Sequence, residues 1–175
     1  MYAPSDDSLL LADAVRGYSG KSALEIGVGS CIVADALAEN FALVAGSDID
    51  IEAIRFCQQR GSAAILVCCD AASALRGPFD LIVSNPPYLP DDNFGNAKDE
   101  TVHGGKYGIE TTLHFIESAL PLLSMSGRIL VVASSHSRVD MLLEKTSQMG
   151  LAAKTINEKR VFYEELSVIE LRRQG

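Results

Sequence analysis

Four residues that follow an apolar run have the clearest chemical potential in the sequence: Asn85, Pro86, Pro87 and Tyr88. A proline disfavours the α region for the residue before it, so this backbone stays extended. The carbonyl groups of Asn85 and Pro86 then remain outside any helix, and the Asn85 side-chain oxygen adds a third acceptor. Such a rigid set suits a planar –NH2 donor, and the Tyr88 ring offers a face on which an amide or a base can stack.

This arrangement predicts a way to make a poor nucleophile react. An amide nitrogen is unreactive because its lone pair is delocalised. Hydrogen bonds from its two N–H groups to the acceptors would hold it and favour a pyramidal geometry, and placement in line with an activated methyl group supplies much of the rest. The four residues are therefore candidate catalytic residues, while a proline-rich turn with an asparagine cap is the alternative interpretation.

Three acidic residues, Glu25, Asp48 and Asp70, each follow or end an apolar run. They are 23 and 22 residues apart, about one strand–helix unit. Doubly wound sheets bind ligands at the carboxyl ends of their strands, where these acids would meet. Gly27 and Gly29 let the backbone turn sharply beside Glu25 and approach a ligand closely.

The acids favour one nucleotide ligand over another. A dinucleotide site carries the pattern G-x-G-x-x-G, and here Ile32 stands at the third glycine position. Glu25 would also repel a pyrophosphate, but it suits a cationic amino group. Asp48 suits a ribose diol, and Asp70 suits the exocyclic amine of adenine. Together they predict S-adenosylmethionine as cofactor and no nicotinamide dinucleotide, although Asp48 or Asp70 alone is also typical of a helix N-cap.

Length and composition predict one domain spanning residues 1–175. Hydrophobic residues make up 47% and charged residues 22%, as in ordinary globular proteins. No apolar run reaches the roughly 18 residues of a membrane span, and the acidic N-terminus lacks the basic region of a signal peptide. We therefore expect a cytoplasmic protein with no membrane partner. The net charge of -8 makes nucleic acid an unfavourable partner and favours small molecules or a basic protein.

The four cysteines, at positions 31, 57, 68 and 69, include no C-x-x-C pair. The three histidines have no metal-ligand spacing. We expect buried, reduced thiols and no bound metal.

The hydrophobic pattern alternates between strands and helices. Strands are predicted at 23–26, 41–47, 64–68, 79–84 and 129–133, and helices at 8–18, 31–40, 51–60, 109–123 and 137–149. An antiparallel pair is predicted at 152–160 and 163–171. This order predicts an α/β fold with a doubly wound, mostly parallel, seven-stranded sheet, Rossmann-like and ending in the antiparallel pair. The near-continuous apolar strands indicate helices on both faces.

The segment Asn85-Pro86-Pro87-Tyr88 after a Glu-x-Gly-x-Gly strand resembles the class I S-adenosylmethionine-dependent methyltransferases that modify nitrogen. These include adenine-N6 DNA and RNA enzymes and the HemK-type glutamine methyltransferases. Two further segments are similar to the eukaryotic and archaeal release-factor branch of that family: residues 2–11, which fit Y-x-P-x-x-D-[ST]-x-L-L, and residues 103–108, which read H-G-G-K-Y-G. The resemblance covers essentially the whole chain.

The resemblance implies methyl transfer to the side-chain amide nitrogen of the glutamine in a release factor's Gly-Gly-Gln loop. By position, Asn85, Pro86, Pro87 and Tyr88 are implied to hold the acceptor. The residues implied to contact the cofactor are Ser8, Glu25, Gly27, Gly29, Asp48, Asp70, Ala71 and Asn85.

The chain departs from the family in two respects. The family usually has glycine or another small residue where Cys31 stands, which would alter the methionine pocket. The bacterial enzyme carries an N-terminal helical domain for which this chain has no room. Docking to a release factor is then expected to use the core surface or a partner.

Two other functions remain open. The same acceptor motif suits an adenine N6-methyltransferase acting on DNA or RNA, although such DNA enzymes usually add a target-recognition domain and the chain is acidic. A non-catalytic, partner-binding scaffold is the third hypothesis. The presence of Asn85 and of the three acids argues against it. Four acidic residues beside the motif are expected to attract a basic release factor, with a solvated loop as the alternative: Asp91, Asp92, Asp99 and Glu100.

The predicted third strand also indicates a partner. In this fold class it lies at one edge of the sheet, and the residues from Ala63 to Cys69 contain no charge and no proline, which natural edges usually carry. The resemblance implies a small zinc-binding activator subunit that adds a strand along this edge, with the zinc held by the partner. Cover by the chain's own helices is the alternative.

Overall fold

A computed structural model describes residues 5–91 and 103–175 of the chain. Within these ranges the strands are β1 (Gly20–Ile26), β2 (Phe41–Asp48), β3 (Ile65–Cys68), β4 (Phe79–Ser84), β5 (Leu123–Ser134), β6 (Leu151–Arg160) and β7 (Glu165–Arg173). The α-helices are α1 (Asp6–Val15), α2 (Ile32–Leu37), α3 (Ile51–Gln59), α4 (Glu110–Ala119) and α5 (Val139–Gln148). The predicted alternation of strands and helices is confirmed.

All seven strands form one sheet in the order β3-β2-β1-β4-β5-β7-β6. The pairs β2–β3, β1–β2, β1–β4 and β4–β5 are parallel. Strand β7 is antiparallel to both β5 and β6, between which it lies. A turn of four residues joins β6 to β7, and so short a connection permits only an antiparallel pair. The predicted mostly parallel sheet with its antiparallel C-terminal pair is therefore confirmed.

Helices cover both faces of the sheet. Along β4, Leu81 and Val83 pack into the same core cluster as residues of α1, α2 and α3. Ile82, which points to the opposite face, belongs to the cluster that contains residues of α4 and α5. Because successive strand residues face opposite sides and both sides are buried, the strand is continuously apolar from Leu81 to Val83.

Two element boundaries differ from the predictions by more than three residues. Strand β5 begins at Leu123, six residues earlier than the apolar run indicated, because its first half is polar and pairs with β4 through a register shift. Helix α4 ends at Ala119, and a short 3-10 turn that contains Pro121 replaces its predicted last turn. None of the helices in the described ranges is long and apolar enough to cross a membrane.

The prediction of reduced, buried cysteines is wrong for most of the four. Cys31 and Cys57 form a disulfide, with 5.7 Å between their Cα atoms. The neighbouring parallel strands β1 and β2 lead into α2 and α3, and the disulfide joins the start of α2 to the last part of α3. Of the two free cysteines, Cys68 is exposed and Cys69 is half-buried.

Candidate active site

One cavity of about 620 Å³ opens at the carboxyl ends of the parallel strands, a size typical of small-ligand sites. It brings together every site residue predicted from the sequence. These lining residues are Ser8, Glu25, Gly27, Gly29, Asp48, Asp70, Ala71, Asn85, Pro86, Pro87 and Tyr88. The sheet topology explains the assembly, because β2, β1 and β4 are adjacent and end at the same edge.

Glu25 is the penultimate residue of β1 and is 3% exposed. Burial raises the pKa of its carboxyl group well above the usual value, while the backbone N–H of Ala34 acts in the opposite direction. Its Oε2 atom has no hydrogen-bond partner among the described residues, and neither has the hydroxyl of Ser47, which also lines the cavity. A buried oxygen without a partner is costly. A ligand with a cationic amino group would satisfy it.

The glycine turn after β1 is held by the neighbouring strand. Gly27 and Gly29 both have positive φ, at +79° and +45°. The N–H of Gly29 donates to Asp48 Oδ2 over 2.9 Å, and the N–H of Asp50 donates to Asp48 Oδ1 over the same distance. Asp50, and not Asp48, is the N-cap of α3, so the N-cap interpretation of Asp48 is wrong. Asp48 shapes the turn and presents its carboxylate to the cavity.

Asp70 follows β3 and reaches a residue that the sequence interpretation had not assigned to the site. Its Oδ1 atom lies 2.9 Å from Nε2 of His114 on α4. Both side chains line the cavity. The spacing of the histidines along the chain does not indicate this pairing. No group of three or more His, Cys, Asp or Glu in the described part of the chain is arranged to hold a metal ion.

Asn85 follows β4 and presents an unsatisfied acceptor. Its Nδ2 group donates to the hydroxyl of Ser8 over 3.3 Å. Its Oδ1 atom is buried and has no partner among the residues that the structure describes. The contact with Ser8 orients the amide, so that the carbonyl oxygen is the atom left for a ligand. An –NH2 donor in the cavity would satisfy it.

A buried acid anchors the tyrosine of the motif. The Tyr88 hydroxyl donates to Asp7 Oδ2 over 3.0 Å, and Asp7 is 2% exposed. Asp7 lies in the first turn of α1, where negative charge is favourable. It belongs to the matched opening segment, yet the sequence assigned it no role. Residues 2–4 of that segment lie outside the described residues.

The segment from His103 to Gly108 packs against the backbone of the motif. A Cβ atom at Gly104 would overlap the carbonyl oxygen of Pro87, and one at Gly108 would overlap that of Tyr88. The N–H of Gly104 also donates to the Leu89 carbonyl over 2.8 Å. Glycine is required here because two backbones lie in direct contact. The loop after β4 is thereby held by α1 through Asp7 and by the segment from His103 to Gly108.

The predicted acidic cluster is described only at Asp91, whose N–H donates to the carbonyl of Gly105 over 2.9 Å. The other three acids, Asp92, Asp99 and Glu100, lie outside the described residues.

The strand order, the glycine turn after β1 and the polar cavity at the strand ends define a class I methyltransferase. Residues 5–162 match the methyltransferase small domain family, and the chain belongs to it.

Two relatives indicate which members of this family the chain resembles. A Methanocaldococcus jannaschii protein, named provisionally as a protein N5-glutamine methyltransferase, is 29% identical over 97% of this chain and 90% of its own length. The release factor glutamine methyltransferase of Rhodospirillum rubrum is 32% identical over 74% of this chain. The match spans 45% of that bacterial protein, which is considerably longer. The predicted resemblance to HemK-type enzymes is confirmed.

Among solved structures, that of the Mtq2–Trm112 complex of E. cuniculi, titled as responsible for methylating the termination factor eRF1, has a TM-score of 0.81 with 22% identity. The match covers 99% of this chain and 98% of that one. Methylases of ribosomal protein L11 and of rRNA share the same fold at 16% to 22% identity. The fold alone therefore does not distinguish a methyltransferase that acts on protein from one that acts on nucleic acid.

Proposed function

We propose that the protein is an S-adenosylmethionine-dependent methyltransferase that modifies the side-chain amide nitrogen of a glutamine, in the Gly-Gly-Gln loop of a translation release factor. One observation carries the proposal. A single cavity holds two buried acceptors of different character that have no hydrogen-bond partner within residues 5–91 and 103–175, Oε2 of Glu25 and Oδ1 of Asn85. The first suits a cationic amino group, and the second suits a neutral amide donor.

The cofactor end is assigned to the residues that follow β1, β2 and β3. Glu25 binds the amino group of the methionine part, Asp48 the ribose hydroxyls, and Asp70 with Ala71 the adenine. Gly27 and Gly29 let the backbone come close. When bound, S-adenosylmethionine supplies a methyl group activated by a sulfonium centre.

The acceptor end is assigned to Asn85, Pro86, Pro87 and Tyr88. Oδ1 of Asn85 and the Pro86 carbonyl accept the two N–H groups of the substrate amide, and the Tyr88 ring packs on its plane. These contacts would orient the nitrogen lone pair and stabilise the positive charge that develops on nitrogen as the N–C bond forms and the bond from the methyl carbon to the sulfonium sulfur breaks, with S-adenosylhomocysteine as the leaving group. One amide proton then leaves to solvent. Ser8 positions Asn85, and Asp7 positions Tyr88, through the hydrogen bonds in the structure.

An adenine N6-methyltransferase is the second candidate, because an adenine amine offers the same donors to Asn85. The chain's net charge of -8 disfavours it, since nucleic-acid enzymes normally neutralise phosphates with a basic face. The relatives named as glutamine methyltransferases also favour the protein acceptor.

The test is the variant Asn85→Ala, compared with Asn40→Ala, which removes an exposed asparagine away from the cavity. Loss of a preorganised polar group should lower methyl transfer about 100-fold or more, while calorimetry finds cofactor affinity within a factor of two. Asn40→Ala should behave as the wild type. Turnover that survives in Asn85→Ala within a few-fold would contradict the mechanism.

The acceptor is identified in the same assay with three substrates: a release factor, its Gln→Ala loop variant, and DNA. Mass spectrometry should place the methyl group on glutamine of the first substrate only. Efficient transfer to adenine in DNA, with none to the release factor, would support the second candidate instead.

The edge strand supports the proposed activator subunit. Strand β3 lies at the edge of the sheet, and Ile65 is 57% exposed. The register pairs Ile65 with Ala45 of β2, so Leu43, two residues earlier on β2 and 45% exposed, lies on the same face. Leu66 packs inward against the core. An uncharged strand edge beside exposed apolar side chains suits a partner that adds a strand, and we assign this role to a small zinc-binding protein.

A further inference from the structure

The turn between β6 and β7, from Val161 to Glu164, carries two adjacent aromatic residues that the fold does not bury. Phe162 is fully exposed and Tyr163 is 91% exposed. Val161, in contrast, packs against the core. The turn therefore has a half-buried base and an exposed aromatic tip.

Neither the turn nor the core explains these residues. Short hairpin turns favour glycine, asparagine and aspartate, because those residues adopt the required dihedral angles easily. Phe162 and Tyr163 offer no such advantage, and their rings contribute no burial to the core. Single exposed apolar residues are common, but a contiguous exposed pair more often marks an interaction site.

The turn lies at the rim of the cavity. Glu164, the next residue, lines the cavity itself. The Ser134 hydroxyl, at the carboxyl end of β5, donates to the Glu164 carboxylate over 2.5 Å. The N–H of Val161 donates to the Glu164 carbonyl over 2.9 Å, and Lys159 forms an ion pair with Asp6 of α1 at 2.8 Å. These contacts hold the aromatic tip in a defined position beside the acceptor end.

We propose that Phe162 and Tyr163 are a docking surface for the polypeptide that flanks the acceptor glutamine. The inference rests on the proposed function, since it names where that function's protein substrate binds. When one side chain enters a cavity, the residues on either side of it must lie on the rim. Exposed aromatic rings supply large apolar contacts at low conformational cost, and they are typical energetic centres of interfaces.

The rim chemistry favours a polypeptide over a nucleic acid. Aromatic rings also stack on single-stranded bases. Here, however, the carboxylates of Glu164 and Asp50 line the same cavity and would repel a phosphate backbone. A loop rich in glycine has no such charge and can lie flat on the two rings.

The experiment uses the full chain as Phe162→Ser/Tyr163→Ser, with Met125→Ser as the matched control. Met125 is 86% exposed and lies near the start of β5, at the end of the sheet away from the cavity. The double variant should raise the KM for the intact release factor about tenfold or more, as expected for loss of two interface aromatics. Its kcat and its cofactor affinity should stay within a factor of two, and Met125→Ser should match the wild type.

Two results would overturn the inference while the proposed function stands. In the first, the double variant methylates the release factor with an unchanged KM. In the second, its cofactor affinity falls as much as its activity, which would indicate a structural role. A wild-type chain that transfers no methyl group to the release factor, with the proposed activator subunit present, would refute the proposed function first and this inference with it. If the double variant lost binding to a labelled single-stranded oligonucleotide instead, the rings would serve a nucleic acid and the inference would be wrong.

Discussion

At the scale of single residues, the selectivity that we propose for the cavity depends on two buried oxygens. Oε2 of Glu25 and Oδ1 of Asn85 are unpartnered among the described residues, so the ligand-free protein bears the cost of removing them from water. A ligand that supplies both donors removes that cost. The interactions that raise affinity for the right ligand therefore lower the stability of the empty protein.

The stability cost of Glu25 should depend on pH. Burial raises its pKa in the folded chain above the ordinary value of 4.5, so between those two pKa values the folded state holds a proton that the unfolded state has lost. The contribution of this group to folding is thus greatest below pH 4.5 and declines as pH rises towards the raised pKa. In Glu25→Gln that decline disappears.

The free energy of unfolding is measured in urea without cofactor. From pH 4.5 to pH 8, the value for Glu25→Gln should rise relative to that of the wild type by about 1 kcal/mol or more, since one pKa unit corresponds to about 1.4 kcal/mol. Calorimetry should show cofactor affinity lower by about 100-fold. Glu117→Gln, at an exposed position on α4, is the control and should change neither quantity. A parallel pH dependence in wild type and Glu25→Gln would disprove the assignment.

At the scale of elements, the acceptor loop after β4 is rigid because other segments close around it. Gly104 contacts the backbone of Pro87 so closely that a methyl group would displace it. Gly104→Ala should therefore lower methyl transfer about tenfold or more while cofactor affinity stays within twofold, because the residues that we propose to bind the cofactor follow β1, β2 and β3. Activity assays and calorimetry measure the two effects. Gly17→Ala is the control, because the added methyl group would make only an ordinary van der Waals contact. Equal activity in the two variants would contradict the role of Gly104.

The edge strand makes a separate prediction. Ile65→Lys places a charge on the exposed face of β3 without disturbing Leu66, which is half-buried against the core, and a charge on an edge blocks strand pairing. Co-expression pull-down with the candidate activator should lose the complex in Ile65→Lys and retain it in Met125→Lys. If the wild type is monomeric, soluble and fully active alone, and Ile65→Lys behaves identically, no subunit binds this edge.

At the scale of the whole molecule, the cavity joins the ends of the central strands with α1, α4 and the β6–β7 turn, so a bound ligand should stabilise the fold globally. A ligand at 100 times its dissociation constant adds about 2.7 kcal/mol. For a chain of this size that corresponds to a rise in Tm of roughly 5–11 °C. Scanning calorimetry should show this rise with S-adenosylmethionine or S-adenosylhomocysteine and none with a nicotinamide dinucleotide. A rise with the dinucleotide alone would refute the cofactor assignment.

The sequence by itself determined the strands, the turn residues and the chemistry of the motif. Gly27, Gly29, Pro86 and Pro87 restrict the backbone locally, and apolar runs predict buried strands, so these features depend only on near neighbours in the chain. Because parallel strands end at one edge, even the meeting of Glu25 with the later acids followed from the order of elements.

The tertiary structure alone decided which side chains distant in the sequence meet around the cavity and support its residues. The Asp7–Tyr88, Asp70–His114 and Ser134–Glu164 contacts join residues 81, 44 and 30 positions apart, and the Cys31–Cys57 disulfide spans 26. Such distances along the chain carry no local signal. These pairs meet because β1, β2 and β4 are neighbours in the sheet while β7 lies between β5 and β6, and that order results from packing of the whole chain.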